Sequence, residues 1–198
     1  MGRAPATLIA LAVALFTASL APAAGISDDV RRRLATGEIV VTDELPPGAS
    51  QTARGGTALA MVRAAPAEVW RVIVDYPGHP RYYPRVTAAE VVERDERHVI
   101  VNYRVTVWPL SFTFFMDKYP EPQRRRVRWH LAEGRAHGLF RENSGYWQVD
   151  ESAVTGASIV TYAIAVRTML PAFVTSGAER DSLVETVTAL RKLVEAPR

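Results

Sequence analysis

The chain has 198 residues, no cysteine and a formal net charge of +3. Without cysteine there is no disulfide, no thiolate nucleophile and no lipid-modified N-terminal cysteine, so packing alone must hold the fold. A charge this small does not argue for nucleic acid as a partner, even though 22 of the 24 basic residues are arginine.

Residues 1–25 carry the three parts of a signal peptide. Arg3 joins the amino terminus as the positive start, the run from Leu8 to Leu20 is apolar apart from Thr17 and Ser19, and Ala21-Pro22-Ala23 offers an Ala-x-Ala cleavage site. Cleavage is expected after Ala23, which sends the remainder to the periplasm or outside the cell. An uncleaved anchor is the alternative, since Leu8 to Ala24 is at the lower limit of length for a bilayer span. Beyond it, Ser27 suits a helix N-cap, Asp28 and Asp29 suit the positive helix end, and Gly37 suits the stop. Ile39-Val40-Val41 predicts a brief strand, and Pro46-Pro47-Gly48 through Gly55-Gly56 a linker. The chain therefore divides into a signal peptide (1–23), an N-terminal extension (24–56) and a main domain (57–198).

The main domain opens with a strand from Thr57 to Ala65, and Pro66 then begins a helix through Glu68, Trp70 and Val74. Pro77, Gly78 and Pro80 stop that helix near Tyr76, and His79 to Tyr83 can form a second helical turn before Pro84. A strand follows from Val86 to Arg94. Period-two alternation then places Val99, Val101, Tyr103, Val105 and Val107 on one face of a strand, and Leu110, Phe112, Phe114 and Met116 on one face of the next. Arg124-Arg125-Arg126 with Arg128 reads as a solvated hairpin entrance, with contact to anionic lipid as the other reading. Further strands carry Val127, Trp129 and Leu131, then Tyr146 to Val149, then Ala157 to Thr168 with Val160, Tyr162, Ile164 and Val166 inward. Pro171 opens a final helix of about 25 residues, with Phe173, Leu183, Val184, Val187, Leu190 and Val194 spaced by threes and fours and Gly177 as a bend. Seven strands with helices at the two ends predict an α+β fold.

This order, together with Ala65-Pro66-Ala67-Glu68-Val69-Trp70, Asp75-Tyr76-Pro77 and Tyr82-Tyr83-Pro84-Arg85-Val86, resembles the START-like (SRPBCC, helix-grip) superfamily. The nearest branch is that of the polyketide cyclase/dehydrase and coenzyme-Q-binding START proteins. The resemblance covers roughly residues 57 to 195. It implies a curved antiparallel sheet of about seven strands wrapped around the long C-terminal helix, with an apolar cavity between them for lipids, quinones, sterols or polyketides. The signal peptide and residues 24–56 depart from the coenzyme-Q-binding branch.

No constellation of catalytic residues stands out. The four histidines do not converge on a metal site, Ser144 lies in a turn-like Asn143-Ser144-Gly145 rather than a nucleophile elbow, and Gly55-Gly56 lacks the spacing of a phosphate loop. No metal and no cofactor are expected. Arg104, His130 and Tyr146 are the polar candidates for acid/base work, with solvent-facing positions as the simpler reading, and Asp75 reads as the organiser of the turn after its helix. The aromatic and thioether side chains of the inner faces are the candidate ligand-binding residues: Tyr83, Tyr103, Phe112, Phe114, Met116, Trp129, Trp147 and Phe173. Whether they form packed core or cavity wall is left open by the sequence.

The function expected is thus an exported, non-catalytic carrier or sensor of an apolar small molecule that is lipid-, quinone- or sterol-like, with a transient membrane contact. A cyclase or dehydratase using polar groups in the same cavity is the second reading. An envelope interaction module built on residues 24–56 is the third.

Overall fold

Alternating apolar residues build one antiparallel sheet. The computed structural model describes residues 26–107, 109–169 and 178–197; the expected signal peptide, Trp108 and the segment holding Pro171, Phe173 and Gly177 lie outside them. The strands are β1 (Val40–Thr42), β2 (Arg54–Val62), β3 (Val86–Arg94), β4 (Val99–Val107), β5 (Leu110–Glu121), β6 (Arg126–Leu131), β7 (Phe140–Glu151) and β8 (Ser158–Thr168). They lie in the order β1-β2-β8-β7-β6-β5-β4-β3, with β1 and β3 at the two edges. The helices are α1 (Asp28–Ala35), α2 (Pro66–Ile73) and α3 (Ala178–Glu195). This is the expected α+β helix-grip fold with eight strands instead of about seven, because β1 joins the sheet by pairing with β2.

Local chemistry accounts for the helix starts. The Ser27 hydroxyl accepts the Val30 N–H at 3.3 Å ahead of Asp28 and Asp29. Pro66 occupies the first turn of α2, where its missing N–H costs nothing, and Val69 and Ile73 point into the core. The chain then tightens into a 3₁₀ turn over Tyr76–Arg81, and the Tyr83 N–H closes on the His79 carbonyl at 2.9 Å. Asp75 steadies this turn by accepting from Arg81 at 2.7 Å. On α3, Leu183, Val187 and Leu190 are fully buried against the sheet, while Val184, expected on that stripe, falls off its edge and is exposed.

Two segments differ from their sequence-based reading for identifiable reasons. Gly55 and Gly56 belong to β2 rather than to a linker. Their φ values of +148° and +158° suit glycine, and a Cβ on either would strike the Ile164 or Thr42 backbone carbonyl, so the pair lets β2 lie tightly between β8 and β1. Ser144 lies inside β7, opposite Ala165, because cross-strand pairing overrides the turn preference of Asn143-Ser144-Gly145. Gly145 has a packing role there: a Cβ would meet the Ala163 carbonyl and the Trp129 ring.

The N-terminal extension is fastened to the same sheet. The Thr57 hydroxyl donates to the Glu44 carbonyl at 2.6 Å, and the Ser50 hydroxyl and N–H donate to the Glu142 carboxylate at 2.5 and 3.0 Å. Arg191 of α3 donates to the Gly37 carbonyl at 2.9 Å. These ties carry Thr52 and Arg54 to the rim of the cavity beneath the sheet.

Candidate functional site

Where α3 and the concave face of the sheet diverge they leave a cavity of about 500 Å³, a volume typical of small-molecule sites. Its longest wall is the inner face of β5, where period two brings Leu110, Phe112, Phe114, Met116 and Lys118 to the lining in succession. Tyr103 and Val105 of β4, Trp129 of β6, Asn143 of β7 and Tyr162, Ile164 and Val166 of β8 continue the surface. Ser182 and Thr186 face it from α3, and Tyr83 to Val86 from the segment after the 3₁₀ turn.

The structure brings six of the expected ligand-binding residues together: Tyr83, Tyr103, Phe112, Phe114, Met116 and Trp129 all line this cavity. Trp147 does not, which corrects its expected role. It stands behind the wall, stacked on Tyr162 at 4.2 Å between ring centroids, with its indole N–H donating to the Tyr83 hydroxyl at 2.6 Å. Phe173 lies outside the described residues. Phe114 packs edge-on against Phe140 and face-on against Tyr103, so the aromatic wall is held from both sides.

Lys118 and Asn143 were not anticipated. Lys118 is only 4% exposed, directly opposite Trp129 in the β5–β6 register, and its ammonium lies 4.4 Å from the Trp129 ring centroid and 5.3 Å from that of Tyr103. Among the described residues it has no hydrogen bond or ion pair to a protein group. Loss of hydration lowers its pKa from 10.5 to about 7. The two aromatic faces offset only part of that loss. Trp129 is itself oriented by its N–H, which donates to the Asn143 carbonyl oxygen at 3.2 Å. Gly145, opposite Trp129, leaves room for the ring.

Behind Tyr103 sits a second buried base. His79 Nε2 donates to the Ile73 carbonyl at 2.9 Å, so Nδ1 is the bare nitrogen and accepts the Tyr103 O–H at 2.7 Å. Burial, with Lys118 nearby, pushes the His79 pKa down to about 3. The unfolded chain therefore binds a proton below about pH 6.5 that the folded chain refuses, and stability should fall as pH drops from 6.5 toward 3. His79→Leu should remove this acid sensitivity. At neutral pH it should cost about 2–3 kcal/mol, because the Ile73 carbonyl and Tyr103 hydroxyl lose their partner. Urea unfolding at a series of pH values reads both effects.

The polar candidates for catalysis face away from the cavity. Arg104 and His130 are exposed on the outer face, His130 bonded to the Leu131 carbonyl at 2.8 Å, and Tyr146 lies under the Arg126 guanidinium at 4.3 Å. Among the described residues no cluster of three or more His, Asp or Glu side chains is arranged to hold a metal ion. Among the described residues, the Lys118 amine and the Tyr103 hydroxyl, bonded to His79 behind it, are buried groups of the cavity wall with chemistry to offer.

No curated protein sequence matches the chain. Among solved structures it is similar to a STAR-related lipid transfer protein from Xanthomonas axonopodis, with a TM-score of 0.61, 16% identity, and coverage of 80% of this chain and 99% of that one. It is similar to a START superfamily protein from Mycobacterium smegmatis (0.59, 14%, covering 70% and 95%) and to an aromatase/cyclase from a Streptomyces species (0.54, 18%, covering 70% and 92%). At these identities the likeness establishes the fold. The family described as polyketide cyclase/dehydrase and lipid transport matches residues 62–191, from the end of β2 into α3. Because that match covers well over half of the chain, the chain belongs to the polyketide cyclase/dehydrase and lipid transport family.

Proposed function

We propose that this protein is an exported, non-catalytic carrier or sensor of an apolar small molecule held between the sheet and α3. The observation that carries the reading is the cavity of about 500 Å³ walled by Tyr103, Phe112, Phe114, Met116, Trp129 and Ile164. Each methylene moved from water into such a wall contributes about 0.8 kcal/mol, so a ten-carbon chain offers roughly 8 kcal/mol gross, enough for micromolar affinity before ordering costs. Export rests on Arg3, the apolar run from Leu8 and Ala21-Pro22-Ala23, and it would place the protein in the periplasm or outside the cell, beside membrane lipids. A lipid-, quinone- or sterol-like cargo exchanged at a membrane fits that address.

Purification under native conditions followed by mass spectrometry of an organic extract tests the proposal. One apolar compound in near-stoichiometric amount is expected. A ligand-free preparation that also fails to bind lipids or quinones in titration would overturn it. An enzymatic reading draws on Lys118 as a base inside the cavity rather than on Arg104, His130 or Tyr146. Chemical change in the extracted compound on incubation with the protein would favour that reading.

A further inference from the structure

The charged groups of the cavity are all of one sign. Arg54, Arg85 and Arg167 stand at the lining with Lys118, and no Asp or Glu does among the described residues. Arg54, Arg85 and Arg167 are exposed, and Arg167 lies 3.8 Å from Glu142, so their charges are shared with solvent or a carboxylate. Lys118 has neither. Along the inner face of β5 exposure falls from 54% at Leu110 to 4% at Lys118, over eight strand positions or roughly 26 Å. The wall is therefore apolar from the rim inward and ends in one cation. At the same indole, the carbonyl oxygen of Asn143 is taken by the Trp129 N–H, which leaves its amide N–H groups without a described partner at the cavity surface.

A buried ammonium without a counter-charge is unfavourable, and a carboxylate is the group that would relieve it. We infer that the cavity takes an amphiphile with a carboxylate head, inserted head first, its charge met by Lys118 and Asn143 and its tail lying along Met116, Phe114 and Phe112 toward Leu110. This inference rests on the apolar-ligand reading above and names the ligand class within it. The titratable groups that face Lys118 do not compete as anions. Tyr103 and Tyr162 are held neutral by burial, and His79 lies behind Tyr103 with both nitrogens bonded.

The test compares tetradecanoic acid, methyl tetradecanoate and tetradecanal in calorimetric titrations of the wild-type protein and of Lys118→Met. Wild type should bind the acid about tenfold to a hundredfold more tightly than the ester at neutral pH, the range of a buried charge-assisted hydrogen bond. In K118M the acid-to-ester ratio should fall to about one or below. Equal affinities for acid and ester in wild type, where no variant need fold, would overturn the inference, as would an acid preference that survives in K118M. It would also fall if the aldehyde alone bound tightly as a borohydride-trappable imine, which forms with loss of water at the Lys118 nitrogen. If the ester binds and the acid is not preferred, only this inference fails. If none of the three binds, the apolar-ligand reading fails with it.

Discussion

The wild-type protein should become more stable as pH rises from about 7 to about 9.5, and Lys118→Met should abolish that rise. The folded chain releases the Lys118 proton near pH 7, whereas an unfolded lysine holds it to about 10.5. In the interval between them the unfolded state binds more protons, so unfolding becomes harder with increasing pH by about 1.4 kcal/mol per unit, or about 3 kcal/mol across the window. Below pH 7 both states are protonated and the full penalty of a desolvated ammonium remains. Above pH 10 the limb should reverse. Tyr82, Tyr103 and Tyr162 are buried with pKa values well above 10, so the unfolded chain loses their protons first. K118M keeps most of the buried volume and carries no charge. It should be more stable than wild type at pH 7 and nearly flat up to about pH 9.5. Denaturant unfolding at four or five pH values checks this. A slope that survives in K118M would show that another group is responsible.

Trp147→Ala should cost about 3–5 kcal/mol, the usual range for deleting a fully buried tryptophan. Trp147 is 1% exposed, lies almost parallel to Tyr162 with an interplanar angle of 19°, and donates to Tyr83. Its loss leaves a void behind the cavity and frees the Tyr83 hydroxyl, so the wall as well as the core is affected. Trp147→Phe separates the two contributions. It keeps a ring against Tyr162 and loses the N–H donor, and it should cost less, about 1–2 kcal/mol beyond the volume change. Equal loss in both variants would mean that the hydrogen bond to Tyr83, rather than the packing, dominates.

Most of the wall was legible because period-two alternation on β4, β5 and β8 states which face is inward. What alternation does not state is depth. Trp129 and Trp147 both sit at inward positions, yet Gly145 opposite Trp129 opens space for its ring at the cavity, while Trp147 is covered by Tyr83 and Tyr162. Lys118 continues the series Leu110, Phe112, Phe114, Met116 by the same rule. It escaped notice because a lysine ordinarily marks the end of a buried face, and only the observed continuation of β5 to Glu121 turns it inward. The burial of His79 depends on Ile73 and Tyr103, partners 6 and 24 positions away in sequence, and no local pattern encodes that. The reading of Asn143-Ser144-Gly145 as a turn failed for a related reason: pairing with β8 on one side and β6 on the other outweighs the preferences of three residues.

On the apolar-ligand reading the space between the sheet and α3 is a binding site. Equilibrium titration of a neutral apolar ligand, methyl tetradecanoate, into wild type and Ile164→Trp tests it most directly. Ile164 lines the cavity from β8, and an indole there would fill much of it without burying a new charge. The expected result is one saturable site per wild-type chain, lost or weakened at least about tenfold in I164W while cooperative unfolding is retained. Binding of equal strength in both proteins, or no binding to either, would contradict it.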